Sequence, residues 1–296
     1  MHVVEVSQQG VFVRISEGCL CVFMGDQQLG RVPLAEISTV LLSSPHATCS
    51  VAALAALAAS GIPVIVCDPS MRPAGMMLPF RKQHEIAARI TAQAKASAPL
   101  RHRLWKAIVR SKILGQAAML TEHSGSDYGL VRLAKRVRSG DPTNVEGRAA
   151  RRYWSHLMGA AFRRRRGQDL ANKMLDYSYA VLRAGVTRSI CVAGLHPSLG
   201  IHHHNRSNAF SLADDLIEPF RPVVDRIVST SLKDNGCECQ EELTPSMKRQ
   251  LATCLEGTVM LGSERRTVHD ALGRITASLA GVFLGERTEI SLPWIG

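Results

Sequence analysis

The sequence predicts an α+β protein in two parts: a small amino-terminal β-rich domain over residues 1–79, then a larger, all-helical carboxy-terminal domain over residues 80–296. Three observations predict it. Short apolar runs broken by glycines fill the first part, and a Pro- and Gly-bearing stretch from Met71 to Pro79 reads as a linker. From Gln83 onward apolar residues recur at helical period.

The elements follow in order. Val11 to Ile15, Leu20 to Phe23 and Val40 to Leu42 read as strands, separated at Gly10, Gly18, Gly25 and Gly30. Ser50 caps a short helix over Val51 to Ala59 that stops at Gly61, and the β-branched run from Pro63 to Cys67 is a buried strand. Asp68 and His46 read as turn residues. Helices are expected over Gln83 to Ala96, Pro99 to Thr121, Asp127 to Arg138, Thr143 to Arg163 and Gln168 to Ala184, with Gly140, Gly167 and Gly185 at their stops. Asp225 to Leu232, Thr244 to Leu255 and Thr267 to Leu284 continue the pattern around a polar, cysteine-bearing loop near Asn235.

Composition narrows the function. In 296 residues, 46% hydrophobic content supplies a real core, and no run of about 18 apolar residues suggests a membrane span. The amino terminus lacks the basic-then-apolar pattern of a signal peptide, which points to the cytoplasm. Eight scattered cysteines without a CxxC pair read as reduced structural thiols rather than a disulfide or zinc framework. A net charge of +11 points to phosphate backbone, because no basic amphipathic segment carries the Trp and Phe face of a membrane-lying helix. Nucleic acid is therefore the expected partner, with no membrane.

Chemistry concentrates between Gly194 and Pro222. Three consecutive histidines, His202 to His204, precede a helix start in which Asp215 and Glu218 lie three apart, on one helical face. Imidazole with carboxylate suits Mg, Mn or Zn. Asp141-Pro142-Thr143-Asn144 is a second helix start, which puts Glu146 in a first turn where acids commonly only cap. Arg148 and Arg151 follow on that helix, and Arg163, Arg164, Arg165 and Arg166 form a run at its end, either a solvated face or a phosphate clamp.

The order and spacing of these blocks carry a resemblance. Asn144-Val145-Glu146-Gly147, Asn172-Lys173-Met174-Leu175-Asp176-Tyr177 and Gly200-Ile201-His202-His203, followed by Asp215-Leu216-Ile217-Glu218-Pro219-Phe220-Arg221-Pro222, resemble the CRISPR adaptation integrase, the first-numbered CRISPR-associated protein, in its type II branch. The resemblance implies a β-sandwich-like amino-terminal domain used for dimer contact. It implies catalytic metal ligands at Glu146, His203 and Glu218 holding Mg or Mn, with Asp215 either an extra ligand or a partner that fixes an imidazole. The implied activity is metal-dependent DNA cleavage and insertion of foreign-DNA spacers into a CRISPR array, by attack of a 3′-hydroxyl on a phosphodiester. The implied partners are double-stranded DNA in particular, a second copy of the chain, the small second CRISPR-associated protein and the type II RNA-guided effector nuclease. The family usually shows Asn where this chain has Asp176. Two other readings remain: a non-catalytic DNA-binding scaffold whose acids pair with arginines, and a zinc-dependent hydrolase of small molecules.

Overall fold

A computed structural model describes residues 2–67, 73–77, 86–234 and 242–294. The chain divides into two compact units, Met1–Gln83 and His84–Gly296.

The first unit is built from two four-stranded sheets. One takes β1 (His2–Val6), β5 (Ile37–Leu42), β7 (Val64–Cys67) and β8 (Pro73–Met77) in that spatial order; the other takes β4 (Gln27–Pro33), β3 (Cys19–Met24), β2 (Phe12–Ser16) and β6 (Thr48–Cys49). Period-two alternation explains why they share one core: Val6, Ile37, Val40 and Val64 from the first sheet meet Val13 and Leu20 from the second, with Leu57 of α1 (Val51–Ala59). The start of α1 is capped as its sequence requires, the Ser50 hydroxyl accepting from the Ala53 amide at 3.1 Å. Part of the expected Met71 to Pro79 linker is strand instead. Residues Pro73–Met77 pair antiparallel with β7 at the end of its sheet, where a proline at the first strand position costs no ladder bond. The remainder of that stretch lies outside the described residues, as do Asp68, the start expected at Gln83, and the loop near Asn235 with Cys237 and Cys239.

The second unit is predominantly helical: α2 (Ile86–Ala94), α3 (Ala98–Ser124), α4 (Leu130–Lys135), α5 (Val145–Leu157), α6 (Leu170–Val192), α7 (Ser211–Leu216), α8 (Arg221–Asp234), α9 (Pro245–Ala252) and α10 (Val268–Leu284). It also carries a hairpin of β9 (Thr258–Leu261) and β10 (Glu264–Thr267), turned at Gly262 in the left-handed region and joined to Trp294 by a bridge at Met260. The helix α5 ends at Leu157, six residues short of the expected Arg163, so the four arginines lie in the connection to α6 rather than in a helical turn. Conversely α6 runs past Gly185 to Val192. Gly185 is a packing residue there: a Cβ would stand 2.7 Å from Leu255 Cδ2. Two long helices organise the unit, with α3 against α4, α5 and α8, and α6 against α7 to α10. Among the described residues no helix is long and apolar enough to cross a membrane, and all six described cysteines are free thiols.

The close approach at Gly185 makes a measurable statement about this core. Gly185→Ala overpacks it and is expected to cost about 1–3 kcal/mol, seen as a lower urea midpoint at unchanged slope. Leu255→Ala in the same background should recover part of the loss, since the two residues share one space.

Candidate active site

The site is assembled from four stretches of the second unit. The first acid, Glu146, sits in the opening turn of α5, and its backbone is held from below: Asp141 accepts from the amides of Val145 and Glu146, both at 2.9 Å, and Asn144 accepts from the Gly147 amide at 2.9 Å. Asn144 caps from a left-handed conformation, φ 48°. A Cβ on residue 147 would lie 2.7 Å from the Asn144 Oδ1, so the Asn-x-Glu-Gly pattern is a cap whose geometry excludes a side chain beside it.

The histidine loop is organised by one buried carboxylate. Asp215, fully buried on α7, accepts from the backbone amides of Ile201 (2.6 Å), His202 (3.0 Å) and His203 (3.2 Å), and its Oδ1 also meets His203 Nδ1 at 2.7 Å. Gly200 is needed for this turn, because a Cβ there would stand 2.2 Å from the His203 carbonyl oxygen. The three rings diverge as neighbouring side chains must. His202 stacks on Trp105 of α3 at 4.1 Å, while His203 stands edge-on to the same indole at 5.8 Å. His204 is exposed, lining a separate recess of about 270 Å³ with Arg101 and Arg206. Hydrogen bonding to Asp215 raises the His203 pKa above its ordinary 6.5 against partial burial, whereas burial lowers that of His202.

Glu218 opens a 3₁₀ turn (Glu218–Phe220) and is buried. Its Oε1 accepts from Arg221 Nε at 2.9 Å, and its Oε2 forms an ion pair with the Lys112 ammonium at 2.6 Å. Lys112, buried in the middle of α3, also binds the Glu146 carboxylate. Burial opposes the charge on Glu218, but Arg221 and Lys112 prevail and hold its pKa at about 2. The same exchange, burial against Glu218 and Glu146, leaves the Lys112 pKa above its usual value. Glu146 and Glu218, expected as ligands, are therefore brought together around one cationic position, occupied by an ammonium. His203 does not join them in a ready-made cluster: among the described residues no three His, Cys, Asp or Glu side chains are gathered closely enough to hold a metal ion. The donors nevertheless fit a hard divalent cation in kind, two carboxylates whose oxygens already face one cationic position.

A cleft of about 700 Å³ opens on these groups. Its far wall carries Trp154, Phe162, Arg151, Arg163 and Arg164, and its floor carries Asp225, bonded by the hydroxyls of Tyr153 and Tyr179. Burial pushes Asp225 up to about 6 despite the two tyrosine donors. The arginine run is not uniform. Arg163 and Arg164 both line the cleft, but Arg163 donates to the carbonyls of Ala160 and Phe162, whereas Arg164 is committed to Asp176 at 2.5 Å and Asn172 at 3.0 Å; Arg165 and Arg166 are exposed outside the lining, as is Arg148. Asp176, which also accepts from the Gly167 amide, thus anchors the loop. The sequence reading assigns no site role to Lys112, Arg221 or Asp225, although Lys112 falls on the apolar face of α3 with Trp105, Ile108 and Met119, where a charge needs a buried partner.

The family model for CRISPR associated protein Cas1 matches residues 4–243. The chain belongs to the Cas1 family, whose curated relatives are CRISPR-associated endonucleases. The CRISPR-associated endonuclease Cas1 of Neisseria meningitidis serogroup C (strain 8013) is 35% identical over 268 residues, covering 89% of this chain and 87% of its own. Among solved structures, a casposase bound to integration product has the same fold at a TM-score of 0.82 and 20% identity, over 98% of this chain and 93% of that one. A Cas6-RT-Cas1–Cas2 complex matches at 0.77 and 19% identity, over 99% of this chain and 36% of that one.

The Asp215 network predicts its own disruption. Asp215→Asn keeps the volume but turns an amide toward backbone donors, which is expected to cost about 1–3 kcal/mol and to lower the His203 pKa in an NMR titration. A raised imidazole pKa stabilises the fold fully below 6.5 and ceases to as pH rises through the folded value, so the ring's share of the loss disappears at alkaline pH while the backbone share persists.

Proposed function

We propose that this chain is a metal-dependent DNA endonuclease and integrase that inserts captured DNA into a CRISPR array. The observation that carries the reading is the convergence of Glu146 and Glu218, from separate elements, on one cation position lining an arginine-bearing cleft. Glu146 and Glu218 would hold Mg or Mn with His203, whose Nε2 is left free by the Nδ1 contact to Asp215. When bound, the cation supplies Lewis acidity at a phosphoryl oxygen and stabilises charge on the leaving oxygen. Asp215 orients the imidazole, and Arg221 fixes the Glu218 carboxylate.

In the proposed reaction a DNA 3′-hydroxyl attacks a phosphodiester phosphorus. The new phosphorus–oxygen bond replaces the one to the departing 3′-oxygen, and the proton lost by the attacking hydroxyl balances the one gained by the leaving group. No protein nucleophile is required. Arg151 and Arg163, facing the cleft, would grip backbone phosphates, because guanidinium forks match phosphate geometry. A casposase solved with its integration product and Cas1 solved in a complex with Cas2 support DNA and the small second CRISPR-associated protein as partners. Homodimer assembly, work beside the type II RNA-guided effector nuclease and a cytoplasmic setting belong to the same proposal.

Glu146→Gln is expected to lower strand transfer into a repeat-bearing supercoiled plasmid by about 100-fold or more, while melting and DNA binding stay near wild type. Chelation should do the same to the parent chain, and Mg or Mn should reverse it. The scaffold reading expects the acids to pair with arginines, and Glu218 does pair with Arg221 while both acids meet Lys112; a chain that binds DNA but never cleaves or joins it with either metal decides for the scaffold.

The cleft arginines give a separate test. Arg163→Ala should weaken DNA binding regardless of sequence and reduce the slope of log affinity against log salt by about one unit. Arg164→Ala should instead lower the melting temperature, since its partners Asp176 and Asn172 lose a charged donor.

A further inference from the structure

We infer that the Lys112 ammonium and the divalent cation are alternative occupants of one position between Glu146 and Glu218, so that Lys112 neutralises the carboxylate pair until metal displaces it. The inference rests on the metal-dependent reading above. Its basis is the placement of one charge. Lys112 lies at 6% exposure, and its Nζ reaches Glu146 Oε1 and, at 2.6 Å, Glu218 Oε2. Glu218 Oε2 faces the Lys112 ammonium as an ion pair at 2.6 Å, so this oxygen is already directed at a cation and will accept another in the same direction. Glu218 does not depend on Lys112 for its orientation, because Arg221 Nε holds its other oxygen at 2.9 Å.

Two cations cannot share these oxygens. An ammonium and a divalent ion within about 3 Å of the same carboxylates would repel strongly in a site screened from water. Leaving the position empty is also unfavourable, since two acids would then face each other with only Arg221 at their side. Lysine suits a temporary occupant's role because its charge is compact and rides on a flexible stem, so it can withdraw by side-chain rotation while α3 stays in place. The cleft of about 700 Å³ opens on the same atoms and gives the ammonium room to go. The acids of a metal site therefore remain compensated in the metal-free chain, and metal affinity is reduced by the need to remove a bound cation.

The test is a Mn²⁺ titration of the full chain, followed by the loss of the free-Mn²⁺ electron paramagnetic resonance signal, with melting curves taken in chelator. Lys112→Met keeps the stem and removes the charge. It should bind Mn²⁺ about tenfold or more tightly than wild type, melt lower in chelator, and recover more degrees on metal addition. Lys112→Gln, which retains donors toward both carboxylates, carries the same comparison should Lys112→Met not fold. Equal or weaker Mn²⁺ affinity in the variants, beside a wild-type chain that binds Mn²⁺, overturns the inference alone. A wild-type chain that takes up no Mn²⁺ overturns the metal-dependent reading along with it.

Discussion

A buried ammonium held between two carboxylates ties the second unit together, because Lys112, Glu146 and Glu218 come from α3, α5 and the 3₁₀ turn before α8. Charges taken out of water are costly unless each finds a partner, and removing one member of a buried pair typically costs about 3–5 kcal/mol. The three elements are thereby obliged to pack in one mutual arrangement. Arg221 completes a compensated group of two acids and two bases, which explains how a pair of glutamates can be gathered inside a chain of net charge +11 without unfolding it.

A second carboxylate acts on the backbone instead. Asp215 collects three successive backbone amides and one ring nitrogen, fixing a loop that has no regular secondary structure to support it. Burial makes this effective: in a water-poor setting an anion receiving several N–H donors is strongly held. The imidazole of His203 is oriented as a by-product of loop closure, and the stack of His202 on Trp105 ties the same loop to α3. Precision at the site thus comes from backbone hydrogen bonding to a side chain, with Gly147 and Gly200 clearing the space that the caps and turns occupy.

Much of this was legible in the residues. The helix-start signal before Glu146 and the spacing of Asp215 and Glu218 mark stretches that the fold brings to one region, and Val51–Ala59 follows from its Ser cap and Ala-rich run. What was hidden has physical causes. The strand Gln27–Pro33 is polar and mostly exposed, so it lacks the alternation that announces a strand. Gly185 reads as a stop because only its neighbour in space, Leu255, reveals that it is a contact. Lys112 and Asp225 sit within helical patterns and become informative only once their partners, distant in the chain, are known. Arginines 163–166 look alike in sequence, yet packing divides them into two that line the cleft, of which Arg164 also braces a loop, and two that face solvent.

The distance along the chain between the two glutamates has a bearing on biosynthesis. A ribosome releases α3 and α5 long before the turn that carries Glu218, and a nascent fragment ending within α6 holds Lys112 and Glu146 but lacks the second acid altogether. Domains generally fold as units once enough chain has emerged. A fragment truncated before Glu218 therefore has no carboxylate pair, and incomplete products of translation lack the acidic pocket even where their helices form.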